Sequence, residues 1–139
     1  MEDLLVSDES MVIESHKGKY GVTFCKDGAK YLVENLPEKN YHIIIDRRVA
    51  ELYSDELKPI LDHSSVLQIE AFERNKSLEI MPNYVAHLVN RQIRRNDILI
   101  AIGGGIIQDI TCFLAATLLR GVDWYFYPTT LLAQADSCI

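Results

Sequence analysis

Cysteine is scarce: Cys25, Cys112 and Cys138 are the three among 139 residues. Odd in number, widely spaced and without a CxxC pair, they argue against a disulfide scaffold or a zinc ribbon and fit a reducing, cytoplasmic setting. Positive charge is also short. The 14 Lys and Arg stand against 20 Asp and Glu, a net charge of -6, so a general electrostatic attraction to nucleic acid is not expected. Arg91, Arg94 and Arg95 cluster, but at the end of an expected helix, where cations suit the dipole. No apolar stretch approaches the roughly 20 residues of a membrane helix. The acidic start, Met1-Glu-Asp-Leu-Leu, lacks a basic segment followed by a signal-like apolar core. The four histidines, His16, His42, His63 and His87, share no metal-ligand spacing. Internal repeats and low-complexity linkers are missing as well.

What remains is the composition of one globular domain, 48% hydrophobic and 24% charged. Its centre of organisation is Asp97-Ile-Leu-Ile-Ala-Ile-Gly-Gly-Gly-Ile-Ile-Gln-Asp109. The apolar run Ile98 to Ile102 is short and bounded, as a strand buried on both faces should be. The run after the glycines extends to Leu119 and ends at Arg120-Gly121, which reads as a helix C-terminus. Strand, glycine turn and helix together offer tight backbone and free N–H groups to an anion such as a phosphate or pyrophosphate. The spacing is not the usual dinucleotide fingerprint, because Gln108 stands where the third glycine would be.

Along the chain, residues 1–10 read as a loose start. Met11–Ser15 and Lys19–Phe24 are strand candidates around a turn at His16-Lys17-Gly18, giving an N-terminal β-hairpin. A short helix is expected over Ala29–Leu36, a buried strand over His42–Asp46, and a helix over Val49–Leu61 with its end weakened or bent by Pro59. Ser65–Ile69 reads as a strand, with Glu73-Arg-Asn-Lys76 in the loop beyond. Leu78, Met81, Val85, Leu88 and Ile93 trace a helical face; with Ser77 as N-cap, Pro82 implies a kink or a later start. A last strand covers Trp124–Tyr127. Alternation of strands and helices from residue 42 onward implies an open, largely parallel, Rossmann-like α/β sheet with flanking helices. Such sheets bind ligands beyond the C-terminal ends of their strands, where Asp46, Glu73, the glycines and Thr129/Thr130 all fall.

Each of these residues also has a plain structural use. Asp109 either complements a helix dipole from the first turn or accepts hydrogen bonds from sugar hydroxyls. Asp46 either binds a ribose or caps the next helix. Glu73 and Lys76 suit a surface ion pair, Thr129 and Thr130 a turn, and Arg120 a helix end. Trp124, Tyr125 and Tyr127 suit the core.

The run Asp97–Ser137 resembles the N-terminal domain of 3-dehydroquinate synthase and the related sugar phosphate cyclases. The resemblance is carried by Gly103-Gly-Gly-Ile-Ile-Gln-Asp109, Leu119-Arg-Gly121 and Pro128-Thr-Thr-Leu-Leu-Ala-Gln-Ala-Asp-Ser137, and more loosely by Asp46-Arg-Arg-Val49 and Glu73-Arg-Asn-Lys76. It implies an NAD-binding α/β domain, normally followed by a helical domain with a divalent metal (zinc or cobalt), in a homodimer acting on a small sugar phosphate. In the family NAD transiently oxidises a substrate hydroxyl. Phosphate is then eliminated, the ketone is reduced again, and an aldol step closes a carbocycle. Carried over by position, Gly104, Gly105 and Ile106 hold the pyrophosphate. Asp46, Glu73, Lys76, Asp109, Thr129, Thr130, Leu132 and Ser137 surround the rest of the cofactor. Asp136 lies near nicotinamide and substrate, and Arg120 meets the substrate phosphate across a dimer interface.

The chain departs from the family pattern at Arg48 (usually Asn), at Phe72, Gln108 and Cys112 (each usually Gly), which favours a divergent branch. The resemblance places the family's Gly-Gly-Lys segment just beyond Ile139, with the catalytic lysine and the metal-binding Glu and two His further on. The 139 residues are therefore expected to be the cofactor part of a longer polypeptide, without metal ligands and without turnover alone. Two alternatives stand beside this: a non-catalytic nucleotide-binding or dimerising module, and the cofactor domain of a metal-dependent alcohol dehydrogenase relative.

Overall fold

The computed structural model describes residues 9–16 and 18–137, the side chains of Glu9, Asp136 and Ser137 excepted. Most of the loose start, Lys17 of the first turn, and Cys138 and Ile139 lie outside the described residues. The expected hairpin is present: β1 (Glu9–Ser15) pairs antiparallel with β2 (Gly18–Phe24) as a separate two-stranded sheet. Its apolar residues Met11, Val12 and Phe24 are at least half exposed.

The body of the chain alternates helix and strand. It runs α1 (Gly28–Glu34), β3 (Tyr41–Asp46), α2 (Arg47–Leu52), α3 (Lys58–Leu61), β4 (Val66–Ile69), α4 (Met81–Asn90), β5 (Ile98–Gly103), α5 (Gly105–Thr117) and β6 (Asp123–Pro128). The four strands form one parallel sheet in the order β4-β3-β5-β6. Side chains alternate across a strand, so Ile43, Ile45, Ile98, Ile100 and Ile102 pack on one face with Leu32, Ala50, Leu57 and Ile60. Ile44, Leu99 and Ala101 pack on the other with Met81, Tyr84, Leu88, Ile107, Ile110 and Leu114. Helices α1 to α3 thus cover one face, and α4 and α5 the other. All six residues of β5 are buried, which is why its sequence is continuously apolar instead of alternating. Each fully buried isoleucine contributes about 2 kcal/mol.

Several local expectations are corrected. The single helix over Val49–Leu61 is two helices, α2 and α3, because the chain turns after Leu52 and carries Leu57, 2% exposed, into the core just before α3. Pro59 sits in the first turn of α3, where its missing N–H costs nothing, and so starts a helix instead of bending one. Pro82 likewise sits in the first turn of α4, which begins at Met81, so of the two readings the later start holds and Ser77 is not its N-cap. Arg91 is the C-cap of α4, but Arg94 and Arg95 lie beyond it and are not dipole partners. Helix α5 stops at Thr117, short of Leu119, and a 3-10 turn over Leu118–Arg120 follows. The Thr117 hydroxyl donates to the Phe113 carbonyl at 2.7 Å, competing for a backbone acceptor of the last turn. The Val122 N–H bonds the Ala115 carbonyl at 2.9 Å, drawing the chain toward β6. Leu119 and Arg120 take φ of 52° and 68°, a left-handed conformation costing about 1–2 kcal/mol each. Tyr125 is 47% exposed and not core.

At the N-terminal edge of the sheet lies a buried polar cluster that spacing did not announce. His42 is the second residue of β3, Ser65 precedes β4 and Asp97 precedes β5, and all three are buried. A carboxylate only accepts, so His42 Nε2–H donates to Asp97 Oδ2 at 3.1 Å. In the neutral ring Nδ1 then accepts from the Ser65 hydroxyl at 2.6 Å. Asp97 Oδ2 also accepts from the Arg94 N–H at 2.8 Å. The imidazole ties the starts of three neighbouring strands together. His87, nearby, is held below the usual histidine range by burial, then by Arg91 and His42. His42→Ala strips the buried carboxylate and hydroxyl of this partner. It is expected to cost about 3 kcal/mol of unfolding free energy in denaturant titration, and a loss below about 0.5 kcal/mol would contradict the clamp.

Candidate functional site

At the opposite, C-terminal edge the connections reverse direction. From β3 the chain goes to β4 on one side, then crosses to β5 on the other, so the switch point falls between β3 and β5. Asp46 ends β3, and Gly103, Gly104 and Gly105 lead from β5 into α5.

The three glycines have different surroundings, and none is required by a positive φ. A Cβ on Gly103 would lie 2.6 Å from Ile107 Cγ1 and 3.3 Å from Asp46 Cβ, so glycine here lets α5 close down on the sheet. One on Gly104 would lie 3.0 Å from Thr130 Cγ2. One on Gly105 would meet nothing within 4 Å, so the space in front of α5 is open. Gly104 is the N-cap residue and no side chain caps the helix. The first intrahelical bond is Gln108 N–H to the Gly104 carbonyl, 3.1 Å, leaving the N–H groups of Gly105, Ile106 and Ile107 without a carbonyl inside the helix. The N–H groups of Gly105 and Ile106 and the positive end of the helix dipole therefore lie together at the glycine turn.

The sequence-selected residues divide into three groups. Asp46, Gly104, Gly105, Ile106, Thr129 and Thr130 come together around this opening. Asp46 is half-buried and its Oδ1 accepts from the Arg48 N–H at 2.8 Å, so it does cap α2. The Thr129 N–H bonds the Gly103 carbonyl at 2.9 Å, fixing the turn after β6 to the end of β5. The Thr130 hydroxyl accepts from the Ala133 N–H at 3.2 Å, a turn role. Leu132 is 72% exposed, and Asp136 and Ser137 lie on the π-helical segment Ala133–Ser137.

The second group is a charge cluster flanking α5. Glu73 and Lys76 lie on a 3-10 turn, with Lys76 Nζ 3.1 Å from Glu73 and 3.0 Å from Asp109 Oδ2. Asp109 is the fifth residue of α5, past its first turn, so its partner is Lys76 and not the helix dipole. The Asp109 hydrogen bond, then that of Glu73, holds Lys76 above the usual lysine value. That support is present at neutral pH and is lost only as pH rises past the raised value.

Arg120 stands apart. It follows the far end of α5, whose 13 residues span about 20 Å, so this chain's own Arg120 does not reach the glycine turn. The His42–Ser65–Asp97 cluster was missed because its members are 23 and 55 residues from one another in sequence. Its residue types match a nucleophilic triad, but Ser65 is 4% exposed and lies at the wrong edge of the sheet. Among the described residues, no group of three His, Cys, Asp or Glu could hold a metal ion, and no helix is long and apolar enough to cross a membrane.

An open parallel sheet with an uncapped helix N-terminus at its switch point is the build of an α/β domain whose strand ends offer hydrogen-bond donors to an anion. A profile of the family described as 3-dehydroquinate synthase N-terminal matches residues 66–139, more than half of the chain. The chain belongs to that family. A 3-dehydroquinate synthase of Clostridium kluyveri is 34% identical over 141 aligned residues, covering 99% of this chain and 38% of the relative. One of Enterococcus faecalis is 42% identical over 101 residues, covering 70% of this chain and 28% of the relative. The chain thus spans well under half the length of these relatives. Among solved structures, 2-deoxy-scyllo-inosose synthase shares the fold with a TM-score of 0.74 at 19% identity, over 93% of this chain and 38% of that one. The same enzyme has been solved with carbaglucose-6-phosphate, NAD+ and Co2+.

The glycine geometry separates packing from access. Gly103→Ala is expected to lose about 1–3 kcal/mol of stability, since Ile107 and α5 must move. Gly105→Ala is expected to fold at least as stably as the parent. Equal effects in thermal or denaturant unfolding would refute the division of roles.

Proposed function

We propose that this chain is the cofactor-binding domain of a 3-dehydroquinate synthase-like cyclase, with NAD lying across the C-terminal edge of the sheet. The observation that carries the reading is the open, uncapped N-terminus of α5 above a glycine that can bear no side chain. The amides of Gly104, Gly105 and Ile106 bind the pyrophosphate. The turn of Thr129 and Thr130 closes the opening on the β6 side, and Leu132, Asp136 and Ser137 border the nicotinamide. Asp46, Glu73 and Asp109 accept hydrogen bonds from sugar hydroxyls. Lys76 holds Asp109 and Glu73 in place and keeps their negative charge from repelling the diphosphate. The residues fit a dinucleotide in this sense: donors face the phosphates, and carboxylates lie to the side.

When bound, NAD supplies reversible oxidation of a hydroxyl to a ketone, which acidifies the neighbouring C–H and permits loss of phosphate from a sugar phosphate. The domain's own part is to hold the cofactor, orient it and offer Asp136 beside the reacting end. The described residues do not fit a divalent metal, and in this reading its ligands (for zinc or cobalt) and the catalytic lysine come from sequence outside these 139 residues. Turnover by this chain alone is not expected. Arg120 serves the substrate phosphate of a partner subunit in a cytoplasmic homodimer, a reading supported by its place beyond the far end of α5 from its own glycine turn.

Calorimetric titration of NAD into the folded chain tests the reading. Binding is expected, weakened at least about tenfold by Gly105→Val, which fills the opening without touching the core. Absence of binding, or equal affinity in the variant, would remove the cofactor assignment.

A further inference from the structure

The β4 end of the cleft carries an aromatic group that the cofactor reading leaves unused. Phe72, directly before Glu73, is 54% exposed, and the Arg74 guanidinium carbon lies 5.4 Å from its ring centre, within cation–π range. The two residues line a surface hollow of about 340 Å³. A single exposed phenylalanine is ordinary, but the backbone beneath this one is firmly held. The Phe72 N–H donates to the Glu70 carbonyl at 2.8 Å, and the Asn75 N–H to the Phe72 carbonyl at 2.9 Å. Asn75 Nδ2 donates to the Glu70 carbonyl at 2.7 Å, and the Tyr84 hydroxyl of α4 to the Asn75 carbonyl at 2.9 Å. The ring is presented by a pinned turn.

Position gives the ring a use. Strand β4 is two places from β5 in the sheet, about 10 Å along the cleft edge at the usual strand spacing. Asp46 lies between them, and the Glu73–Lys76 turn joins the Phe72 hollow to α5 through the Lys76–Asp109 pair. A dinucleotide with its phosphates on the α5 amides and a ribose among the carboxylates sends one base toward Phe72. The charge of Arg74 selects which base: an oxidised nicotinamide ring is cationic and is repelled, whereas neutral adenine stacks on an aromatic or guanidinium face.

We propose that Phe72, backed by Arg74, is the stacking platform for the adenine of the bound dinucleotide. The proposal rests on the cofactor reading above. The test is calorimetric titration of NAD into the full chain, its Phe72→Ala variant and its Phe72→Tyr variant, with proton NMR of the bound cofactor. Wild type and Phe72→Tyr are expected to bind alike, and Phe72→Ala about tenfold more weakly. The adenine ring protons should shift upfield in the wild-type complex and not in Phe72→Ala, with the nicotinamide protons alike in both. Unchanged affinity in Phe72→Ala, or unshifted adenine protons in the wild-type complex, would overturn the platform and leave the glycine cradle standing. Failure of the folded wild type to bind NAD would overturn both.

Discussion

Strands β3 and β5 are dry on both faces, and this constraint orders everything else in the domain. With Ile43, Ile44, Ile45, Leu99, Ile100 and Ala101 each at 0% exposure, the middle of the sheet cannot carry a polar side chain without a large desolvation cost. Polar groups are therefore sorted to the two edges of the sheet. At the edge where the strands begin, they are buried and satisfy one another, as His42, Ser65 and Asp97 do. At the edge where the strands end, they are half-buried or exposed around the glycine turn, so a ligand can reach them. Similar residue types become a clamp at one edge and an accessible surface at the other because burial differs, not because their chemistry does.

The binding edge depends on close approach. Gly103 brings α5 onto the sheet within a distance that any side chain would prevent, and this aims the helix N-terminus at the switch point. Electrostatics then has to reconcile an anion-seeking helix end with three nearby carboxylates, those of Asp46, Glu73 and Asp109. Capping of α2 occupies one oxygen of Asp46, and Lys76 bridges the other two acids. At exposed positions these ion pairs add little stability. Their consequence is local: the carboxylates are held beside the opening instead of across it.

Much of this architecture could be read from the chain because buried parallel strands and glycine turns write themselves locally. His42–Asp46 and Ile98–Ile102 are short apolar runs bounded by polar residues or glycine, and both were found within a residue of their ends. Contributions set by tertiary contact were hidden. The break between α2 and α3 follows from the burial of Leu57, which periodicity alone cannot separate from a continuing helix. The sequence left Asp109 open between its own helix dipole and a sugar hydroxyl, and it could not show the ion pair with Lys76, 33 residues away. The His42 cluster draws its members from β3 and from the turns that lead into β4 and β5, so no spacing rule could have joined them. At the candidate site the fold brings Asp46, Gly104, Gly105, Ile106, Thr129 and Thr130 together, sets Glu73, Lys76 and Asp109 in an ion-pair cluster of their own, and leaves Arg120 beyond the far end of α5.

The central claim is that the α5 N-terminus receives the diphosphate of NAD, and the most direct measurement is amide chemical-shift mapping of the labelled chain during NAD addition. The account predicts that the largest shifts fall on Gly104, Gly105 and Ile106, that smaller ones fall on Asp46 and the Glu73–Lys76 turn, and that His42, Ser65 and Asp97 stay still. Saturable shifts centred elsewhere, or none at the glycine turn, would contradict it.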